Sequence, residues 1–227
     1  MIIPVFDIKD NIAVSGKSGK RDTYTRLKSI YGDDILQIAQ NLKDAGSQLL
    51  YIADLDKIED NGSNNEIISQ INQIIPVMLD NGIRTLNDVE KNNKICTYNI
   101  VATETLPSIN EAQHIFENYD KEKLIVSVDI KNNQLLNQNN NIKLDEIINL
   151  INTHKPKYTI LLNISQVGTK KSNTPPIINE IIQKTPNTTH IMAGGLTNQT
   201  ITQHKKNNIQ HFLVGTILHE GTLKHKL

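Results

Sequence analysis

The chain has 227 residues, 24 basic and 24 acidic side chains, and no Trp. A hydrophobic content of 37% with only 4% aromatics suits one large globular domain, or two small ones, with a core of Ile, Leu and Val. The cancelled charge lacks the basic footprint of a nucleic-acid binder and is no better suited to an anionic membrane surface, so neither is expected as a partner.

Cys96 is the only cysteine, so an intrachain disulfide is ruled out and a reducing, cytoplasmic setting is expected. The N-terminus enters a short strand-like run without a basic leader, so no signal peptide is expected. No run reaches the roughly 18 apolar residues of a membrane span.

The elements alternate along the chain. Ile2–Ile8 reads as a strand. Asp34–Ala45 follows as a helix, with Ile35, Ile38, Ala39 and Leu42 at helical spacing and Gly46 as its stop. Leu49–Asp54 is the next strand and Asn65–Gln73 its helix. Val77–Leu79 and Asn99–Thr103 are the third and fourth strands, followed by helices Thr85–Lys91 and Ser108–Glu117. Leu124–Ile130 opens a second series, with helix Leu144–Asn152. Tyr158–Asn163, His190–Ala193 and Phe212–Gly215 complete the strands. Pro175–Gln183, Asn198–Lys206 and a short terminal helix follow them in turn. Prolines in the first turn of a helix lose least, because the missing N–H has no partner there. The strands are continuous apolar runs, as in a parallel sheet buried on both faces.

Eight β-α units predict an α/β fold, a (β/α)8 TIM barrel at the compact end of its size range, in one domain spanning residues 1–227. An open doubly wound sheet is the alternative. The polar stretch Asn132–Asn141 reads as a solvated loop.

Internal similarity divides the barrel. Phe6-Asp7-Ile8-Lys9-Asp10-Asn11 returns as Val128-Asp129-Ile130-Lys131-Asn132-Asn133, 122 positions later. Each copy closes an apolar strand on an aspartate. Gly82 precedes Ala102-Thr103 by the same 20 positions that separate Gly195 from Gly215-Thr216. Two duplicated half-barrels, about 1–122 and 123–227, are expected.

Small residues at strand ends let backbone N–H groups approach an anion, and barrels often hold phosphate after their last two strands. Gly194, Gly195, Gly215 and Thr216 occupy those places, and Gly168 closes the cup from the sixth strand. The competing reading is that these glycines merely make tight turns. Gly82 and Thr103 mark a second, degraded phosphate site, where Asp80 and the following Glu104 would repel an anion or need a cation between them.

Asn11-x4-Gly16-Lys17-Ser18 resembles a phosphate-binding P-loop but lacks its first glycine, and Gly19 stands where the helix should begin. The basic loop Lys17–Arg21 is expected to be a solvated flap, with an anion-grasping lid as the alternative. The seven histidines show no metal-ligand spacing, so no metal and no cofactor are expected.

The strand-end aspartates, the half-barrel repeat and the Gly-Gly plus Gly-Thr cup resemble the HisA/HisF family of histidine biosynthesis, over Ile2 to Leu218. The opening Ile-Pro-Val-Phe-Asp-Ile, the segment Tyr51–Leu55 and the segment Ile160–Thr169 are similar to the family's strands one, two and six. The resemblance implies an Amadori rearrangement, with Asp7 as base and Asp129 as acid. Asp54 and Asn163 become candidates for substrate contact.

Departures qualify it. The isomerase's strand-six Thr-Asp is Leu162-Asn163, and its Arg-Asp-Gly-Thr is Gln166-Val167-Gly168-Thr169. Its triple glycine is Asp80-Asn81-Gly82, and an early basic residue is Ser15. Family substrates carry two phosphates, one per half-barrel. The expectation is therefore a divergent phosphosugar isomerase acting on a phosphorylated sugar or sugar amine with one phosphate. The histidine-pathway isomerase itself and a non-catalytic phosphosugar-binding barrel are the alternatives. A partner glutaminase is not expected, although the sequence leaves it open.

Overall fold

The computed structural model describes residues 1–138, 141–171 and 173–227. The chain opens with β1 (Ile2–Lys9), β2 (Ile12–Ser15), β3 (Thr25–Arg26) and α1 (Ile35–Asp44). β4 (Leu50–Asp54), α2 (Leu55–Ile58), α3 (Asn65–Ile74), β5 (Val77–Asp80), α4 (Leu86–Lys91) and β6 (Tyr98–Ala102) follow. Next come α5 (Ile109–Asn118), β7 (Leu124–Lys131), β8 (Gln134–Leu135), α6 (Leu144–His154) and β9 (Tyr158–Asn163). The chain closes with α7 (Pro176–Lys184), β10 (His190–Ala193), α8 (Asn198–Lys206), β11 (His211–Val214) and α9 (Thr216–His219).

Among the described residues, eight parallel strands run in the order β1, β4, β5, β6, β7, β9, β10, β11. β11 returns to β1, pairing Phe212 with Ile2 and Val214 with Pro4, so the sheet closes into a (β/α)8 barrel. The open-sheet alternative is excluded by that pairing.

Strand period sets which side chains enter the barrel, because successive residues point to opposite faces. On β1, Ile2, Phe6 and Ile8 join the layer under the helices, while Ile3 and Val5 belong to the interior. Asp7 shares the parity of Ile3 and Val5. On β5, Val77 and Leu79 face the helices and Met78 faces inward, which turns Asp80 inward. On β7, Val126, Val128 and Ile130 face the helices and Ile125 the interior, which turns Asp129 inward as well.

The helices form where sequence caps them. Asp34 accepts from the amides of Leu36 (3.0 Å) and Gln37 (3.2 Å) at the start of α1. Ile35, Ile38, Ala39 and Leu42 bury one face. Thr85 with Asp88, and Thr197 with Thr200, make reciprocal caps on α4 and α8.

Three local features differ from expectation. Strand β1 continues into an antiparallel hairpin with β2, and β2 pairs with β3, where the sequence was read as loop. The Asn132–Asn141 stretch starts as a hairpin in which β8 pairs with β7; Asn139 and Asn140 lie outside the described residues. α2 is a single turn fixed by Asp54, too short to show a periodicity.

The two Asp-Ile-Lys copies share conformation. Asp10 and Asn11 turn with φ of 51° and 59°, and Asn132 and Asn133 with 52° and 60°. Asp and Asn tolerate this left-handed geometry, which tight hairpins require at both central positions.

Candidate functional site at the mouth of the barrel

A solvent-connected cavity opens at the carboxyl ends of the strands. Gly168, Gly194, Gly195, Gly215 and Thr216 line one side. Asp7, Tyr51, Asp80, Glu104 and Arg21 line the other, with Leu162, Ile164 and Leu213 among the apolar groups of the wall. Thus the five residues of the expected cup share one space with Asp7.

The glycines are present for different reasons. At Gly194 (φ 98°) an added Cβ would lie 2.3 Å from the Asn163 carbonyl oxygen. At Gly195 (φ 66°) it would lie 2.5 Å from the carbonyls of Gln166 and Lys171. These two positions need glycine for close backbone approach, ligand or no ligand. Gly215 is different. An added Cβ there would meet nothing nearer than the Val5 carbonyl oxygen at 3.6 Å, an ordinary contact. Its missing side chain enlarges the cavity without any demand from packing.

Burial pushes the Asp7 carboxyl up to about 7, against the attraction of Arg21 and with the help of the Asp80 charge. Asp80 is pushed up to about 6 by burial and by Glu104. Hydrogen bonds from Gly82 N–H (3.3 Å) and Tyr51 O–H (3.1 Å) restrain that rise. Arg21 bonds Glu104 at 2.9 Å. Burial works against the Arg21 charge, but Glu104, Asp80 and Glu59 together hold its pKa above the ordinary value.

Asp129 lies apart from the cavity lining. It is 1% exposed, and its carboxylate accepts from Ser127 Oγ (2.8 Å), the Glu104 amide (3.0 Å) and Thr103 Oγ1 (3.4 Å). Burial first, then the Glu104 and Asp80 charges, raise its pKa well above the usual carboxylate range, against the hydrogen bonds from Glu104 and Ser127.

The structure therefore separates the two aspartates that the sequence repeat joins. Thr103, a marker of the degraded second cup, is 1% exposed and bonded to Asp129. Gly82, the other marker, sits with φ 70° against Ile58. Neither lines the cavity; Asp80 and Glu104 occupy that end instead. Asp54 and Asn163 have the outward parity of Ile52 and Leu161, and neither lines the cavity. Asp54 caps α2 through the Lys57 amide (3.2 Å) and holds Asn64 through that residue's amide N–H (2.9 Å) and side chain (2.6 Å). Asn163 Nδ2 donates to the Asn173 carbonyl at 3.3 Å.

The basic loop is fastened at the cavity, which Gly19 and Arg21 line, while Lys17 and Lys20 stay exposed as expected of a solvated flap. Ser18 N–H donates to Val167 O (2.9 Å) and Ser18 Oγ to Ser165 O (3.0 Å). Gly168 lets it approach, since an added Cβ there would lie 2.2 Å from Gly16 O. Only a single 3-10 turn, Arg21–Thr23, follows Ser18, and no α-helix begins there, so the segment lacks the architecture of a P-loop. Among the histidines, His219 is 2% exposed and bonds Ser29 Oγ and Val5 O, each at 2.9 Å, bracing β1 against α9.

Tyr51, Tyr24 and Arg21 were not picked out as site residues from sequence. Tyr51 carried a usable signal, since it shares inward parity with Leu49 and Ala53. Arg21 carried none beyond a basic loop. No helix among the described residues is long and apolar enough to cross a membrane.

Comparison with known proteins fits this geometry. The profile of the family described as "Histidine biosynthesis protein" matches residues 1–224. An uncharacterised protein of Methanocaldococcus jannaschii is 35% identical over 227 residues, covering 98% of this chain and 94% of its own length. The 1-(5-phosphoribosyl)-5-((5-phosphoribosylamino)methylideneamino) imidazole-4-carboxamide isomerase of Nitrosopumilus maritimus is 25% identical over 233 residues, covering 98% of this chain and 95% of its own. The isomerase of that name from M. jannaschii is 26% identical over 230 residues, with the same coverages. With a barrel closed by β11 on β1, a glycine-lined cavity at its mouth and a family match along nearly all of its length, the chain belongs to the histidine biosynthesis protein family, the HisA/HisF family.

Proposed function

We propose that this protein is an isomerase of the Amadori type, acting on a sugar amine that carries a single phosphate. The observation that carries the reading is one cavity with a glycine cup on one side and Asp7, raised to about 7, on the other. Gly168, Gly194, Gly195, Gly215 and Thr216 hold the phosphate, with Gly215 leaving room that packing does not demand. Asp7 transfers a proton to and from the bound sugar amine, and its raised pKa suits a group that gains and loses a proton near neutrality.

The acidic end argues against a second phosphate. The carboxamide isomerases are named for a substrate with two phosphoribosyl groups. Here Asp80 and Glu104 face the cavity at the other end, and Arg21 is already paired with Glu104. An anion there meets net repulsion in a poorly solvated site. M. jannaschii carries both a protein named as that isomerase and the uncharacterised relative that is 35% identical to this chain. Two such proteins in one organism fit a division of labour between substrates.

Asp129 is the acid that the family resemblance implies. From its buried place it reaches a substrate only by releasing Thr103 and the Glu104 amide.

The test is turnover of N-phenylribosylamine 5-phosphate, formed in solution from ribose 5-phosphate and aniline, beside the bis-phosphoribosyl carboxamide. The expected outcome is formation of the amino-ketose from the first and none from the second. Asp7→Asn should abolish turnover, a loss of about 100-fold or more, while binding of inorganic phosphate persists. Turnover that survives Asp7→Asn would falsify the role of Asp7. Rescue of a strain lacking the histidine-pathway isomerase would defeat the single-phosphate substrate.

A further inference from the structure

We propose that Asp80 is a second proton-transfer residue of this cavity, working with Asp7 across the gap left by Ala53. The proposal rests on the isomerase reading and adds a group that the repeated Asp-Ile-Lys phrase does not supply.

Sheet register places the pair. Asp7 is opposite Ala53 on β4, and Ala53 is opposite Asp80 on β5. All three are in register across the sheet and share the same inward parity. Adjacent strands are about 4.8 Å apart, so the two backbones stand roughly 10 Å apart or less across a curved wall. The residue between them has only a methyl group. Both carboxyls line the cavity with the phosphate cup, whereas Asp129 is closed off by three donors.

Asp80 is also held in position. Its two oxygens accept from Tyr51 O–H and Gly82 N–H, which fixes the carboxyl plane. The charged and titratable groups that act on it or on its partner come from every side. They are Asp7 on β1, Arg21 and Tyr24 in the loop after β2, Tyr51 on β4, Glu104 after β6 and Asp129 on β7. Burial raises Asp7 and Asp80 into a range where one is protonated while the other is ionised. Two carboxyls with shared electrostatics titrate as a pair, and an isomerase needs one acid and one base at once.

The chemistry balances without a further reactant. The protonated carboxyl gives its proton to the ring oxygen as the C1–O bond breaks and its electron pair moves to that oxygen. The nitrogen lone pair forms C=N, leaving an open-chain iminium. The ionised carboxylate takes the C2 proton. The C2–H electron pair becomes the C1=C2 bond, and the C=N π pair returns to nitrogen. The first carboxylate then accepts the proton of the C2 hydroxyl, and the second returns its proton to C1. Both groups finish as they began, and the product is the amino-ketose.

The experiment compares the intact wild-type chain with Asp80→Asn on N-phenylribosylamine 5-phosphate. The expected result is a fall in kcat of about 100-fold or more, with phosphate affinity kept within about twofold. The bell-shaped pH profile should lose one limb. A kcat within about threefold of wild type, or a bell that persists, overturns the proposal, since a residue that only repels a second phosphate would leave turnover of this single-phosphate substrate unchanged. Asp80→Glu should recover part of the rate. If the wild-type chain turns over nothing, the isomerase reading falls, and carbon-13 NMR of the aspartate carboxyls decides the pairing without substrate. Asp80→Asn should then lower the Asp7 midpoint, because the Asp80 charge helps to raise it; an unmoved midpoint overturns the pairing.

Discussion

Asp7 shows how one residue links stability to function. Its folded pKa is raised from 3.8 to about 7, so the unfolded chain loses this proton first as pH rises. The Asp7 contribution is fully present below pH 4 and is lost progressively between about pH 4 and about pH 7. Each unit of displacement corresponds to about 1.4 kcal/mol. Asp7→Asn should therefore stabilise the protein above pH 7 by a few kcal/mol, and much less at pH 4. Urea unfolding of wild type and variant at both pH values checks this; an equal difference at both refutes the buried-charge account. The buried histidines, whose pKa values are lowered by burial, change stability in the opposite sense, but they are common to both proteins. A carboxylate kept where it destabilises the fold is what a proton-transfer group looks like in energetic terms.

At the scale of elements, Asp54 makes a contrasting use of the same side chain. Its carboxylate joins the end of β4 to α2 and to Asn64 at the start of α3. Asp54→Ala removes a cap and leaves buried donors unpaired, with an expected loss of about 2–3 kcal/mol in unfolding free energy. Phosphate affinity should not change, since Asp54 is outside the cavity lining. A variant of wild-type stability with weakened phosphate binding would return Asp54 to the site. The distinction is one of strand parity, and the structure decides which parity faces inward. Asp54 follows Leu50 and Ile52 at even spacing, and both face the helices. Asp7, Asp80 and Asp129 fall on the other parity. The docked loop Gly16–Arg21 was beyond such reasoning, because its partners Ser165 and Val167 lie about 150 residues away.

For the whole molecule, the proposed function calls for one anion site at the barrel mouth. Titration with inorganic phosphate should show one site per chain, weakened by a bulky side chain at Gly215. Two equal sites would restore a bisphosphate ligand and remove the argument from Asp80 and Glu104. Calorimetry decides the count. The repeated phrase in the sequence corresponds to two hairpins of like conformation, β1 with β2 and β7 with β8. The cavity itself is lined unevenly, with glycines from the last strands and carboxylates from the first ones.

Sequence by itself determined the alternation of strands and helices, the count of eight units, and the cluster of glycines after the last strands. These follow from local rules: apolar period, caps and turn residues repeat over a few positions and are readable there. It also showed that Asp7 and Asp129 end their strands alike. Only the tertiary structure decided that Asp7 opens to the cavity while Asp129 is closed in by Ser127, Thr103 and Glu104. It alone set Asp80 level with Asp7 through Ala53, and brought Arg21 to Glu104. The physical reason is that access, desolvation and charge coupling depend on distances through space, which barrel closure creates between residues far apart in the chain.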